Sequence, residues 1–124
     1  MPNNFQAIHH VSIIISNIEQ SIWFYCTVLK LELDPSRPKM SSDGLWLIIN
    51  EQQQLHLLLT DNPYKSVKQA ENLGLDRHVA LKVKNLKAIM LRLDKYGIAY
   101  KTSQSGRQAL FCRDPDNNTL EIQE

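Results

Sequence analysis

The chain has 124 residues, 43% hydrophobic and 22% charged, with 14 basic and 13 acidic side chains giving a formal net charge of +1. That length suits one folding unit, and the near-neutral balance carries no basic footprint for nucleic acid or an anionic membrane. With neither a secretion-type leader nor a membrane-spanning run, a cytoplasmic protein with a small-molecule partner is expected.

Ala7 to Ile15 reads as a strand rich in β-branched residues. Ser16 and Glu19 have capping-box spacing, with Asn17 as the alternative N-cap, ahead of a helix whose apolar stripe is Ile18, Ile22, Tyr25 and Leu29. Leu31 to Leu33 begins a second strand, broken by Pro35 and Pro38. Gly44 to Ile49 and Leu55 to Leu59 form a hairpin around the polar turn Glu51 to Gln54. From Asp61 to Asp76 there is little regular apolar pattern, which marks a linker with room for a short helix over Ser66 to Asn72.

The order then repeats. A strand from His78 to Val83 precedes a helix from Leu86 to Tyr96, with Leu86, Ile89, Met90 and Leu93 inward and Gly97 as its stop. Tyr100 to Thr102, Gln108 to Cys112 and Thr119 to Ile122 supply three strands, with Asp114 to Asn118 as the last turn. The fold class is α+β: two βαβββ modules, about 5–60 and 77–124, joined by a linker over 61–76 in a single domain. Cys26 and Cys112 fall in apolar patterns and are expected to be reduced core thiols.

The two halves also share residues in register. His10-Val11-Ser12 through Asn17-Ile18 returns as His78-Val79-Ala80 through Asn85-Leu86 at a constant offset of 68 residues, which points to one supersecondary unit used twice. Strand alternation puts His10, Ser12 and Ile14 on the face away from the helix, with His9 on the other. Leu55-His56-Leu57 corresponds to Leu120-Glu121-Ile122, each setting one polar side chain between apolar neighbours. A carboxylate half-buried without a partner is costly, and a divalent cation removes that cost. His10, His56, His78 and Glu121 would give three nitrogens and one oxygen, a set suited to Zn, Ni, Mn or Fe. Trp23, Trp46 and Tyr64 are candidates for the cavity wall, an interface or the core.

His10-Val11-Ser12, Ser21 to Tyr25, Arg77 to Leu81 and the run from Phe111 through Asp114-Pro115-Asp116 to Glu121 resemble the vicinal oxygen chelate superfamily. That group includes glyoxalases, fosfomycin thiol transferases, bleomycin resistance proteins and extradiol dioxygenases. The resemblance implies a cup-shaped mixed sheet with helices outside, a homodimer, and one divalent metal held by His10, His78 and Glu121, with His56 at the fourth position. Glu121 and His56, the latter a departure from the Glu or Gln of that family at this position, are the catalytic candidates. Lys101 and Ser105 fall where the thiol transferases hold a phosphonate and a monovalent cation. Ser12 and Arg107 join them as substrate-binding candidates, Arg107 from a Ser-Gly-Arg loop that could clamp an anion. The expected function is a metal-dependent enzyme for a small oxygenated molecule, by thiol conjugation with a thiol co-substrate or by glyoxalase-like lyase chemistry. The alternatives are a non-catalytic drug or metabolite binder, an extradiol-type dioxygenase, and a structural or regulatory dimer.

Overall fold

In the computed structural model, which describes residues 3–124, the chain forms eight strands and two main helices. The first module runs β1 (His10–Ile15), α1 (Ile18–Ile22), β2 (Glu32–Leu33), β3 (Gly44–Ile48) and β4 (Gln54–Leu59). The second runs β5 (His78–Lys82), α2 (Leu86–Lys95), β6 (Tyr100–Thr102), β7 (Ala109–Arg113) and β8 (Thr119–Gln123). The first sheet has the order β1-β4-β3-β2 and the second β5-β8-β7-β6, each with one parallel pair and two antiparallel pairs. The first and last strands of each module are therefore hydrogen-bonded neighbours, and the two mixed sheets stay separate instead of closing a barrel.

Local chemistry explains the helix ends. Asn17 and Asn85, equivalent in the repeat, are both N-caps, accepting from the N–H of Gln20 at 2.9 Å and of Ala88 at 3.0 Å. The Ser16–Glu19 capping box does not form, because Ser16 is engaged by Asp116 of the other module through both its N–H and its hydroxyl. α1 continues into a π-helical stretch, Trp23–Val28, in which the Leu29 N–H reaches back to the Phe24 carbonyl. The wider turn shifts the phase of the apolar stripe, so Phe24, Tyr25 and Val28 are all buried while Ile18 and Ile22 are only partly covered. Lys30 ends the run with φ 67°, and Gly97 closes α2 with φ 68°.

The expected helix over Ser66 to Asn72 is not formed. The linker has too few apolar residues at helical spacing to dock one, and it folds instead into turns and a single 3-10 turn, Leu73–Leu75, with Asn72 accepting from the Gly74 N–H. Gln54 belongs to β4 and not to the preceding turn, which Asn50 closes by accepting from the N–H groups of Gln52 and Gln53.

One hydrophobic cluster draws on both modules: Ile15, Leu47, Leu55 and Leu57 from the first sheet, Leu110, Leu120 and Ile122 from the second, and Leu86 and Leu93 from α2. Polar cross-links reinforce it. The buried Tyr25 hydroxyl donates to Asp114 Oδ2 at 2.6 Å, Asn118 Nδ2 donates to the Ile14 carbonyl at 2.8 Å, and Arg92 donates to the carbonyls of Thr27 and Val28. Cys26 and Cys112 are free thiols, and burial pushes the Cys112 thiol up to about 12. No helix among the described residues is long and apolar enough to cross a membrane.

Candidate metal and ligand site

The sheet registers make the two halves equivalent at the residue level. Ser12 lies opposite His56 across β1 and β4, and Ala80 lies opposite Glu121 across β5 and β8. On the next strand Trp46 lies opposite His56 and Phe111 opposite Glu121, so each module carries an aromatic ring at the same place. Leu55, Leu57, Leu120 and Ile122 enter the core, which leaves His56 and Glu121 on the opposite faces of their sheets.

In the second module, His78 opens β5 and its Nδ1 lies 2.8 Å from the Asp76 carbonyl oxygen. A carbonyl can only accept, so Nδ1 carries the proton and the lone pair sits on Nε2. That lone pair faces Glu121 Oε1 at 3.3 Å. Glu121 is only 6% exposed, and its other oxygen, Oε2, accepts from Arg107 Nη1 at 3.1 Å. Two electron-rich atoms face one another, an arrangement that needs a proton or a metal cation between them. The Phe111 ring stands edge-on to His78, with centroids 5.5 Å apart.

Asp76 holds this geometry through its own surroundings. Its Oδ2 accepts from Thr119 at 2.7 Å, Gln69 at 2.9 Å and Arg113 at 3.3 Å, while Oδ1 accepts from the Arg77 N–H. Burial pushes its carboxyl up, but these hydrogen bonds outweigh burial and hold it below the usual carboxylate range. The linker is thereby pinned to β7 and β8 at the point where its backbone carbonyl meets His78.

The first module arranges its histidines differently. The His56 ring is stacked between those of His10, centroids 3.9 Å apart at 14°, and Trp46, 4.7 Å at 9°. Gln54 Nε2 donates to Asp34 Oδ2 at 2.6 Å, which turns the amide oxygen toward His56 Nε2 at 2.8 Å. His56 therefore carries its proton on Nε2 and keeps the Nδ1 lone pair. Burial first, then the nearby His10, His9 and Arg37, lowers its pKa and favours the neutral ring. In-plane lone pairs on parallel stacked rings run side by side instead of converging. His9 Nδ1 lies 2.9 Å from His10 Nδ1, so His9 is not on a separate face: it precedes β1, where strand alternation does not apply. A cavity of about 500 Å³ opens here, with His9, Asp34, Trp46, Ile48 and Gln54 in its wall.

The four ligand candidates thus come together as two pairs, His10 with His56 and His78 with Glu121. Among the described residues no group of three or more His, Cys, Asp or Glu side chains is placed to hold a metal ion within one chain. Ser12 is exposed in the His56 row, and Lys101 is exposed opposite Phe111 in the Glu121 row. Arg107 Nη1 also reaches Gln123, while its Nε donates to Ser105 Oγ at 3.0 Å, which hydrogen-bonds Ser103. The guanidinium expected for a substrate anion is thus seated on the buried carboxylate. Asp34, Gln54 and Asp76 are supporting residues the sequence reading left out. Gln54 and Asp76 each stand two positions before a site histidine, Gln54 on the same strand face as His56.

The family model described as "Glyoxalase/Bleomycin resistance protein/Dioxygenase superfamily" matches residues 7–122. Glyoxylase I 4 of Arabidopsis thaliana is 28% identical over 127 aligned positions, covering 98% of this chain and 72% of that protein. Among solved structures, a glyoxalase family protein of Enterococcus faecalis is 30% identical with a TM-score of 0.69, covering 97% of this chain and 98% of that one. A glyoxalase family protein of Bacillus anthracis shares the fold with a TM-score of 0.74 at 22% identity, covering 98% and 97% of the two chains.

Proposed function

Because the chain belongs to the Glyoxalase/Bleomycin resistance protein/Dioxygenase superfamily, we propose that it is a divalent-metal enzyme acting on a small oxygenated molecule. Thiol conjugation or glyoxalase-like lyase chemistry in detoxification is the reaction class. The observation that carries this reading is the His78–Glu121 pair. With Nδ1 donating to the Asp76 carbonyl, Nε2 is turned to a buried carboxylate oxygen 3.3 Å away, and with a metal ion in place of a proton between them the two atoms would be a two-ligand fragment of a metal centre.

A fragment of that kind is completed by a second copy. A twofold dimer sets the first module of each chain against the second module of the other, so that one of the stacked rings of His10 and His56 joins His78 and Glu121 at each of two centres, and the other ring must turn out of the stack to join it. The nitrogen and oxygen donors suit Zn, Ni, Mn or Fe. When bound, such an ion supplies Lewis acidity toward paired oxygens of the substrate.

The chain's own residues do the rest. Arg107 occupies Glu121 Oε2 and leaves Oε1 facing the site, so the carboxylate is presented through one oxygen, which would hold the ion or, once released from it, accept a proton. His56, kept neutral, offers Nδ1 as a ligand or a base. Ser12, Lys101 and the outer edge of the Arg107 guanidinium, braced by Ser105, bind polar groups of the substrate.

Titration of the chelator-stripped full chain with Zn, Ni and Mn tests the reading. One ion per chain is expected to bind, with a thermal-stability gain of about 2.7 kcal/mol at a hundredfold excess over Kd. His78→Ala and Glu121→Gln should each abolish it. A wild-type chain that binds none of these ions and gains no stability would overturn the enzyme reading in favour of a non-catalytic drug or metabolite binder.

A further inference from the structure

The histidines that open β1 and β5 are held at the same ring atom by different groups. In the second module the Asp76 carbonyl oxygen lies 2.8 Å from His78 Nδ1, which leaves Nε2 to face Glu121. In the first, His10 Nδ1 is met by a side chain: His9 Nδ1 lies 2.9 Å away, with the two rings at 81°. Two ring nitrogens at that distance share one proton, so one ring donates and the other accepts. The position equivalent to His9 at the offset of 68 residues is Arg77, whose guanidinium lies over the Tyr64 ring instead.

The backbone fixes where His9 stands. Its carbonyl accepts from the Gln54 N–H at 3.0 Å, which ties it to the start of β4, two residues before His56. Its side chain is exposed and stands in the wall of the cavity of about 500 Å³, so core packing does not account for its place. The His10 ring is covered on one face by His56, centroids 3.9 Å apart, and closed at Nδ1 by His9. Its other nitrogen is Nε2, the atom that His78 turns to Glu121.

We propose that His9 is a positioning residue: it accepts the His10 Nδ1 proton and so keeps the Nε2 lone pair of His10 free to hold the metal ion. A neutral imidazole has one proton and one lone pair, so spending Nδ1–H on His9 puts the lone pair on Nε2. With the polarity reversed, His10 would carry its proton on Nε2 and lose that nitrogen as a ligand. This role rests on the functional reading in that His10 is taken as a ligand; the tautomer itself requires no metal.

The metal-free full chain is followed by two-bond proton–nitrogen NMR at a pH where the rings are neutral, with the His10 signals identified by their loss in His10→Ala. His10 is expected to carry its proton on Nδ1, as His78 does. His9→Phe keeps an aromatic ring without an acceptor, and should move the His10 proton to Nε2 while His78 stays unchanged. His9→Asn sets an amide oxygen where the imidazole Nδ1 stood and should restore Nδ1–H. Zinc titration of the same proteins should show binding weakened about 10–100-fold in His9→Phe and recovered in His9→Asn. A His9 that only packed against its neighbour would leave the tautomer unmoved. The proposal is overturned by His10 protonated on Nε2 in wild type, by an unchanged tautomer in His9→Phe, or by a changed tautomer with undiminished zinc affinity. Should His9→Phe fail to fold, the wild-type spectrum decides. A chain that binds no zinc sinks the functional reading, whereas one that binds zinc with His10 protonated on Nε2 sinks the role of His9 alone.

Discussion

His78 shows how much of this site is set by hydrogen bonds one step removed from it. The imidazole takes its tautomer from the Asp76 carbonyl, and Asp76 takes its position from Thr119, Gln69 and Arg113. Asp76→Asn is expected to cost about 1–3 kcal/mol at pH 7, since Arg113 loses its carboxylate partner. The same carboxyl gives a pH signature with a definite sign. Its folded pKa lies below the ordinary value of 3.8, so its contribution is complete well above that value and drains away as the pH falls through the folded pKa. Denaturant titrations at pH 7 and pH 3 should show a smaller acid loss in Asp76→Asn than in wild type. The strands that carry His10, His56, His78 and Glu121 are legible in the sequence because the two modules repeat one order of elements. The ring tautomers are not, because they depend on carbonyl and amide groups whose directions only the folded loops define.

At the scale of elements, the repeat predicts strand order and both helices, since hydrophobic spacing and the Asn caps are local signals. Two departures have physical causes that lie outside the local pattern. Ser16 is drawn from its capping role by Asp116, a hundred positions away. The π-helical stretch Trp23–Val28 alters the stripe without altering composition. Lys30 ends this helix in the left-handed region at φ 67°, where the second module has Gly97 at φ 68°. A residue with a Cβ is strained there by about 1 kcal/mol. Lys30→Gly is therefore expected to stabilise the chain by up to about 1 kcal/mol, with the greater unfolded-state freedom of glycine taking back part of the gain. Chemical denaturation of the two proteins checks it.

Over the whole molecule, the Asp114-Pro115-Asp116 turn joins the modules by accepting from Tyr25 and Ser16, while Asn118 reaches the Ile14 carbonyl. The sequence marks this segment as a turn; its cross-links become visible only when the modules are docked. Burial pushes the Asp114 carboxyl up against the opposing hydrogen bonds from Tyr25, Asn118 and Asp116. Tyr25→Phe removes one of those donors from a buried acceptor and is expected to cost about 1–2 kcal/mol. The loss should appear as one cooperative transition at lower denaturant, because both modules feed one hydrophobic cluster.

The separation of the ligand candidates into a His10–His56 pair and a His78–Glu121 pair has a genetic consequence. If each centre draws one pair from each copy, a chain crippled by His10→Ala and another crippled by Glu121→Gln are both inert alone. Mixed and allowed to exchange subunits, they would form hybrids in which one centre carries both lesions and the other carries none. About a quarter of the wild-type metal-binding capacity should then reappear, from random pairing of equal amounts into half hybrids. Two broken genes would rescue one another.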